Sequence, residues 1–287
     1  MLASYLQLMR APAVFTALSN ILAAHLILTQ GEILWPALLP LLGSSAALYT
    51  GGMVLNDWFD YAVDLQQRPG RPLPSGRIPR HHALVFAGLL LACGVGLAAL
   101  AGAGALYLAL GIVVLVLVYD GVLKRTGAGS LVMGACRYLN WLLGFSLLPL
   151  TPLALTIPLP VFIYVTALTL LSREEESARN RSILMVTATG MLLTACCMIG
   201  LGSAAGVISA WSTGIVLLGT GLLGHRLWLT YRAFSPERVQ ACVKLLIFAI
   251  IPLDALLVLV FGPAWGVVLV LALLVPGKIL ARMMYVT

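Results

Sequence analysis

Residues 56–64, Asn-Asp-Trp-Phe-Asp-Tyr-Ala-Val-Asp, hold three of the ten Asp and Glu residues in a chain of 287. Asn56, Asp60 and Asp64 fall at i, i+4 and i+8, which places them along one face if a helix runs through them. Asp57 points elsewhere, about 100° around that helix. Carboxylates four positions apart repel one another and weaken a helix, and a bound divalent cation removes that repulsion. Mg²⁺ typically takes one or two carboxylates and completes its shell with water and phosphate oxygens. The following loop, LQQRPGRPLPSGRIPR, supplies Arg68, Arg71, Arg77 and Arg80, whose guanidinium forks match phosphate oxygens. Acids for a metal beside arginines for an anion make a diphosphate site. The plainer alternative is a solvated, acidic helix end.

The other charged stretches are fewer. Lys124 and Arg125 follow Tyr119-Asp120-Gly121-Val122-Leu123, and residues 172–180 read Ser-Arg-Glu-Glu-Glu-Ser-Ala-Arg-Asn. Each also reads as a simple cytoplasmic anchor or an ion-paired loop. Cys136-Arg137-Tyr138-Leu139-Asn140-Trp141 is polar for an apolar segment. An Arg at membrane depth is costly and faces a cavity or a partner. Arg137 and Asn140 share a helix face at i, i+3, so both are expected to line one pocket, with Asp254 the candidate structural partner of Arg137.

These residues need a scaffold, and composition identifies it. Hydrophobic residues are 61% of the chain, charged residues 9%, and mean hydropathy is +1.03. A soluble domain is roughly one-quarter charged, so this chain cannot clothe itself for water. Apolar runs near 11–29, 36–56, 82–102, 104–119, 130–149, 157–172, 182–203, 206–226, 241–261 and 264–281 predict spanning helices. Lys and Arg cluster in alternate connections and at the span ends beside them, and only Arg137, within 130–149, is left over. The positive-inside rule then puts both termini and all charged loops in the cytoplasm, the membrane expected being a bacterial inner (plasma) membrane. That asymmetry accounts for the net charge of +7 without any nucleic-acid partner. The five cysteines sit in apolar runs with no metal-binding spacing and read as packing residues.

Asn56 to Asp64, followed by Arg71-Pro72-Leu73-Pro74-Ser75-Gly76-Arg77, resembles the first signature of the UbiA superfamily of intramembrane prenyltransferases, NDxxDxxxD with RPLPSG close behind. The resemblance implies an all-α polytopic bundle, a nine-helix core here joined by a tenth C-terminal span, in a single unit over 1–287. It implies a prenyl diphosphate held through Mg²⁺, transfer to an unidentified acceptor, and membrane lipids as surroundings. Asn56, Asp57, Asp60 and Asp64 would then be metal-side residues, and Asp60, Asp64, Lys124, Arg173 and Glu176 would be catalytic. Arg68, Arg71, Tyr119, Lys124, Arg125, Arg137, Asn140 and Asn180 would bind substrate. The family's second motif is an aspartate run, whereas in the matching register this chain has Arg173, Glu176 and Asn180. A second cation would fall to Glu174 and Glu176, or Arg173 would take over part of its electrostatic work. A UbiA-related terpene cyclase and a non-catalytic isoprenoid-lipid carrier are the alternative readings.

Overall fold

The computed structural model describes residues 2–176 and 178–285; Ser177, inside the second charged stretch, and the terminal residues Met1, Val286 and Thr287 lie outside the described residues. Every element described is helical. A short α1 (Leu2–Leu8) and a 3₁₀ turn lead into α2 (Phe15–Leu28), followed by α3 (Trp35–Phe59), α4 (Tyr61–Gln67), α5 (Arg80–Ala101), α6 (Ala103–Val118) and α7 (Gly129–Phe145). Then come α8 (Pro152–Thr156), α9 (Leu159–Ser172), α10 (Ile183–Ala204), α11 (Ala210–Arg232), α12 (Pro236–Phe248), α13 (Ile250–Phe261), α14 (Gly266–Ala272) and α15 (Leu274–Tyr285). Local chemistry sets many of these limits. Pro lies in the first turn of α3, α8, α9 and α12, where its missing N–H costs nothing. Ser209 and Ser212 form a reciprocal cap at the start of α11. Gly102, at φ 132°, breaks α5 from α6 in a conformation other residues rarely adopt.

Among the described residues, eight helical segments are long and apolar enough to cross a membrane, and the protein is an integral, multi-pass membrane protein. The two remaining expected spans, 130–149 and 206–226, correspond to α7, of 17 residues, and to α11, whose C-terminal part carries His225, Arg226 and Arg232. The predicted segment 241–261 is divided at Ala249 into α12 and α13. Large side chains such as Leu89, Leu100, Val114 and Leu222 are exposed, which in hydrocarbon costs nothing.

Helix α7 is wedged between α2, α6 and α9. Glycine makes that possible. A Cβ on Gly144 would meet Ala24 Cβ at 2.6 Å, and one on Gly134 would meet the Phe162 carbonyl at 2.9 Å. The close approach brings the polar face of α7 against that of α2, and α3, α4, α7, α9 and α12 line one cavity.

Candidate active site

Asn56, Asp60 and Asp64 do share a face, across a break. Helix α3 ends at Phe59, Asp60 takes φ −76°, ψ −3°, and α4 resumes at Tyr61. The ladder survives the break: Asp60 N–H donates to Asn56 C=O at 3.0 Å and Asp64 N–H to Asp60 C=O at 2.9 Å. All three line a cavity of roughly 690 Å³ that also takes in Arg10, Arg68, Tyr119, Lys124, Arg125, Arg137, Arg173, Glu175 and Glu176.

Among the described residues, five ion pairs converge around this cavity. Lys124 Nζ pairs with Asp60, and Arg68 with Glu176. Arg71 Nη1 lies 2.6 Å from Asp64 Oδ2 and 3.4 Å from Asp57 Oδ1, and Arg10 Nη2 reaches Asp57 Oδ1 at 3.2 Å. Asp57 is buried and does not line the cavity. Its place is behind the wall, anchoring Arg10 and Arg71. Burial raises the Asp64 carboxyl above its ordinary range, against the pull of the Arg71 guanidinium. Glu175 is likewise raised by burial, with Arg68 and Arg10 opposing.

Lys124 reaches Asp60 because the chain makes a π-helical turn at Tyr119–Leu123, closed by the Lys124 N–H to Tyr119 C=O bond at 2.8 Å. Its Nζ then lies 6.0 Å from the Tyr119 ring centroid. In the same turn, Asp120 Oδ1 accepts from Asn56 Nδ2 at 2.6 Å. That bond leaves the Asn56 carbonyl oxygen for the cavity.

The second charged stretch departs from the expected ligand set. Glu174 Oε2 accepts from the backbone N–H groups of Arg179 (2.7 Å) and Asn180 (3.0 Å), so it turns into its own loop. Asn180 Oδ1 accepts from Ser182 N–H at 3.0 Å, at the start of α10. Neither Glu174 nor Asn180 lines the cavity. Arg173 does, yet its guanidinium donates to the carbonyls of Thr126 (3.2 Å) and Arg125 (3.3 Å), tying α9 to the loop before α7. The acids that face the cavity from this side are Glu175 and Glu176.

At the deep end Arg137 lines both the large cavity and a smaller apolar one of about 80 Å³. Asn140 borders only the smaller cavity, and its amide is fully used. Its Nδ2 donates to Ala17 C=O and Asn20 Oδ1, and its Oδ1 accepts from Ser45 Oγ. Asp254 pairs with neither directly; Ser19, Asn20 and Trp141 donate to it. Sequence reading missed Arg10, Asp120 and Glu175 as cavity residues. Asp120 and Glu175 stand beside residues already singled out, and Arg10 carried only a topological signal.

The donor set suits Mg²⁺. The oxygens of Asn56, Asp60 and Asp64 are hard ligands. Among the described residues no three His, Cys, Asp or Glu side chains close on one point as a self-sufficient metal cage. A phosphate-bridged Mg²⁺ needs no such cage.

The site thus lies in a helical membrane bundle whose cavity sets carboxylates against Lys and Arg at its mouth. The profile of the UbiA prenyltransferase family matches residues 17–251, and the chain belongs to that family. Over 128 residues it is 38% identical to the digeranylgeranylglyceryl phosphate synthase of Ignicoccus hospitalis, covering 44% of this chain and 41% of that one. With the enzyme of the same name from Methanothrix thermoacetophila it is 34% identical over 151 residues, 52% and 55% of the two chains. The matched segments thus span about half or less of these relatives' lengths. In fold it is similar to a structure described as digeranylgeranylglyceryl phosphate synthase in membranes (TM-score 0.69, 20% identity, 90% of this chain and 98% of that one). It is also similar to a UbiA homologue from Archaeoglobus fulgidus bound to DMAPP and Mg²⁺ (TM-score 0.63, 17% identity, 88% and 99%).

Proposed function

We propose that the protein transfers a prenyl group from a prenyl diphosphate to an acceptor within the membrane. The carrying observation is the pairing of Asp60 with Lys124 and of Asp64 with Arg71 at the mouth of a cavity that deepens into apolar walls. Each pair stores one group for a cation and one for an anion. With a diphosphate bound, Lys124 and Arg71 would turn onto its phosphate oxygens, which would leave Asp60 and Asp64 free to hold Mg²⁺. Mg²⁺ held through Asp60, Asp64 and Asn56 supplies neutralisation of the leaving diphosphate.

The residues of the chain do the rest. Lys124, Arg68 and Arg71 stabilise charge that grows on the leaving oxygen as the C1–O bond breaks, an effect aimed at the transition state. Tyr119 and the apolar wall keep water from the allylic cation. Arg173 and Glu176 close the mouth, Arg173 through the backbone of 125–126 and Glu176 through Arg68. Glu175, rather than Glu174, is the acid of the second loop that faces the substrate. The relatives' name supports a geranylgeranyl-type donor and a glycerol-phosphate-type acceptor. In this reading the chain forms one unit over 1–287, its tenth span is α14 with α15, and the charged loops and both termini lie in the cytoplasm of a bacterial inner membrane.

The test is diphosphate release from geranyl, farnesyl and geranylgeranyl diphosphates, with Mg²⁺ and a panel of aromatic and polar acceptors. Release that needs both Asp60 and an acceptor establishes transfer. Release without an acceptor, yielding a cyclic hydrocarbon, would replace it with a cyclase. Binding of the diphosphates with no release would leave a lipid carrier.

A further inference from the structure

Arg10 combines a strained backbone with a side chain in the cavity. It takes φ 48°, ψ 47°, in the left-handed region, one of three residues other than glycine with positive φ among the described residues. An arginine there carries steric strain that persists only where the surrounding structure holds it. Its N–H donates to Gln7 C=O at 3.1 Å, ending α1, and its C=O accepts from Ala13 N–H at 2.9 Å, opening the 3₁₀ turn Ala11–Val14. From this joint the guanidinium lines the cavity mouth, with Nη2 3.2 Å from Asp57 Oδ1. Asp57 engages one N–H group, and the guanidinium fork has others to offer.

The joint lies between two separately anchored segments. On one side, Leu8 of α1 is fully buried among Val54, Leu55, Ala83 and Ala87, and Tyr5 meets Phe86 edge-on at 5.2 Å. On the other, α15 packs along the 3₁₀ turn. A Cβ on Gly277 of α15, itself buried, would meet the Pro12 carbonyl at 3.3 Å, Phe248 at 3.2 Å and Phe15 at 3.5 Å. No side chain separates the two backbones at that point, and Pro12, with its fixed φ, yields little. Helix α14 is fastened in turn: a Cβ on Gly266 would lie 3.1 Å from both Leu26 and Val258. The match to the family profile, residues 17–251, includes neither the 3₁₀ turn nor α14 and α15. The two unmatched ends of the chain therefore meet each other, beside Arg10. Freed on one flank, Arg10 would relax to the right-handed region that L residues prefer and carry its guanidinium away from the mouth.

We propose that α15 is a buttress, with Gly277 as its bearing point, that holds Arg10 left-handed and so aims a further cation at a diphosphate in the cavity mouth. This rests on the reading of that mouth as a diphosphate site. Arg10 touches the ligand, whereas Gly277 and Pro12 are positioning residues that act through it.

The experiment is isothermal titration of inorganic diphosphate, with Mg²⁺ present, into the detergent-purified full chain. Wild type binds, and Arg10→Met weakens binding about tenfold, about 1.4 kcal/mol. Gly277→Leu, which sets a side chain where backbone now lies, weakens it by a similar factor, and Gly277→Ala, a single methyl, by less. In the Arg10→Met background Gly277→Leu has no further effect, because the residue it acts through is gone, whereas with Lys124→Met its effect adds in full. Loss of packing alone lowers the melting temperature of Gly277→Leu but gives no such dependence on residue 10. Thermal melting shows which variants are folded, and the same cycle run with Gly277→Ala decides the matter if the leucine is too large for folding. Wild-type affinity in the largest Gly277 variant that folds, or losses at Gly277 and Arg10 that add, would overturn the buttress and leave the diphosphate site standing. No binding by wild type would overturn both.

Discussion

The two acidic stretches, 56–64 and 172–180, sit on opposite sides of one cavity and use their charges differently. In the first, Asp60 and Asp64 pair with Lys124 and Arg71, side chains from other parts of the fold. In the second, Arg173 donates to backbone carbonyls, Glu174 accepts from backbone N–H groups, and Asn180 accepts from Ser182 N–H. Side-chain pairs can exchange partners when a ligand arrives, because the charges survive the exchange. Charges committed to backbone groups shape a loop and are less free to move. One stretch is thus organised as a binding surface and the other mainly as a strap, with Glu176 joining them through Arg68.

The largest effect should fall on the first stretch. Removing Mg²⁺ with EDTA should abolish diphosphate release, and Asp60→Ala should lower it by about 10²–10³-fold, measured with radiolabelled donor. Next comes the joint between the two stretches. Glu176→Gln breaks the pair with Arg68, a half-exposed contact, and should change turnover by roughly fivefold at most, given what exposed ion pairs contribute. Glu174→Ala sharpens the contrast further: it should cost about 1 kcal/mol of stability through the two lost backbone bonds, read as a lower melting temperature, while Mg²⁺ dependence stays unchanged. A Glu174→Ala variant as inactive as Asp60→Ala would break the comparison.

The smallest effect concerns Glu175. Its carboxyl is raised by burial, so the folded state holds the proton more tightly than the unfolded chain does. The stability that this confers is present below the unfolded pKa of about 4.5 and is lost as pH rises through the folded value. Glu175→Gln should therefore melt at a slightly higher temperature than wild type near pH 8, with the gap closing toward pH 4. A gap of the opposite sign would mean that Glu175 is stabilised as a carboxylate.

The apolar runs were legible because hydrocarbon tolerates little else for twenty residues. The first stretch was legible for a local reason: helical spacing alone puts Asn56, Asp60 and Asp64 together, and the Asp60 break is too slight to undo it. The second stretch was not. Whether Glu174 or Glu175 faces inward depends on which backbone N–H groups a loop leaves unpaired, and spacing carries no record of that. Arg137 was recognisable as a cavity residue from its cost in a membrane. Its route to Asp254 through Asn20 joins α7, α2 and α13, contacts 117 and 234 positions apart in sequence, and no local pattern announces them. Asp57 shows the reverse: an acid in the right motif, turned away to hold Arg10 and Arg71.

The π-helical turn at Tyr119–Leu123 carries a further consequence. A turn closed from residue i to i+5 holds one residue more than its α-helical neighbours. Every position after it is thereby rephased by about 100°. Lys124 is the first residue to feel that rotation, and it is the one that meets Asp60. The aim of this lysine is thus written in the count of residues that precede it. Deleting any one of the five, whatever its side chain, would swing the ammonium toward lipid, whereas point substitutions in the turn would leave its bearing intact.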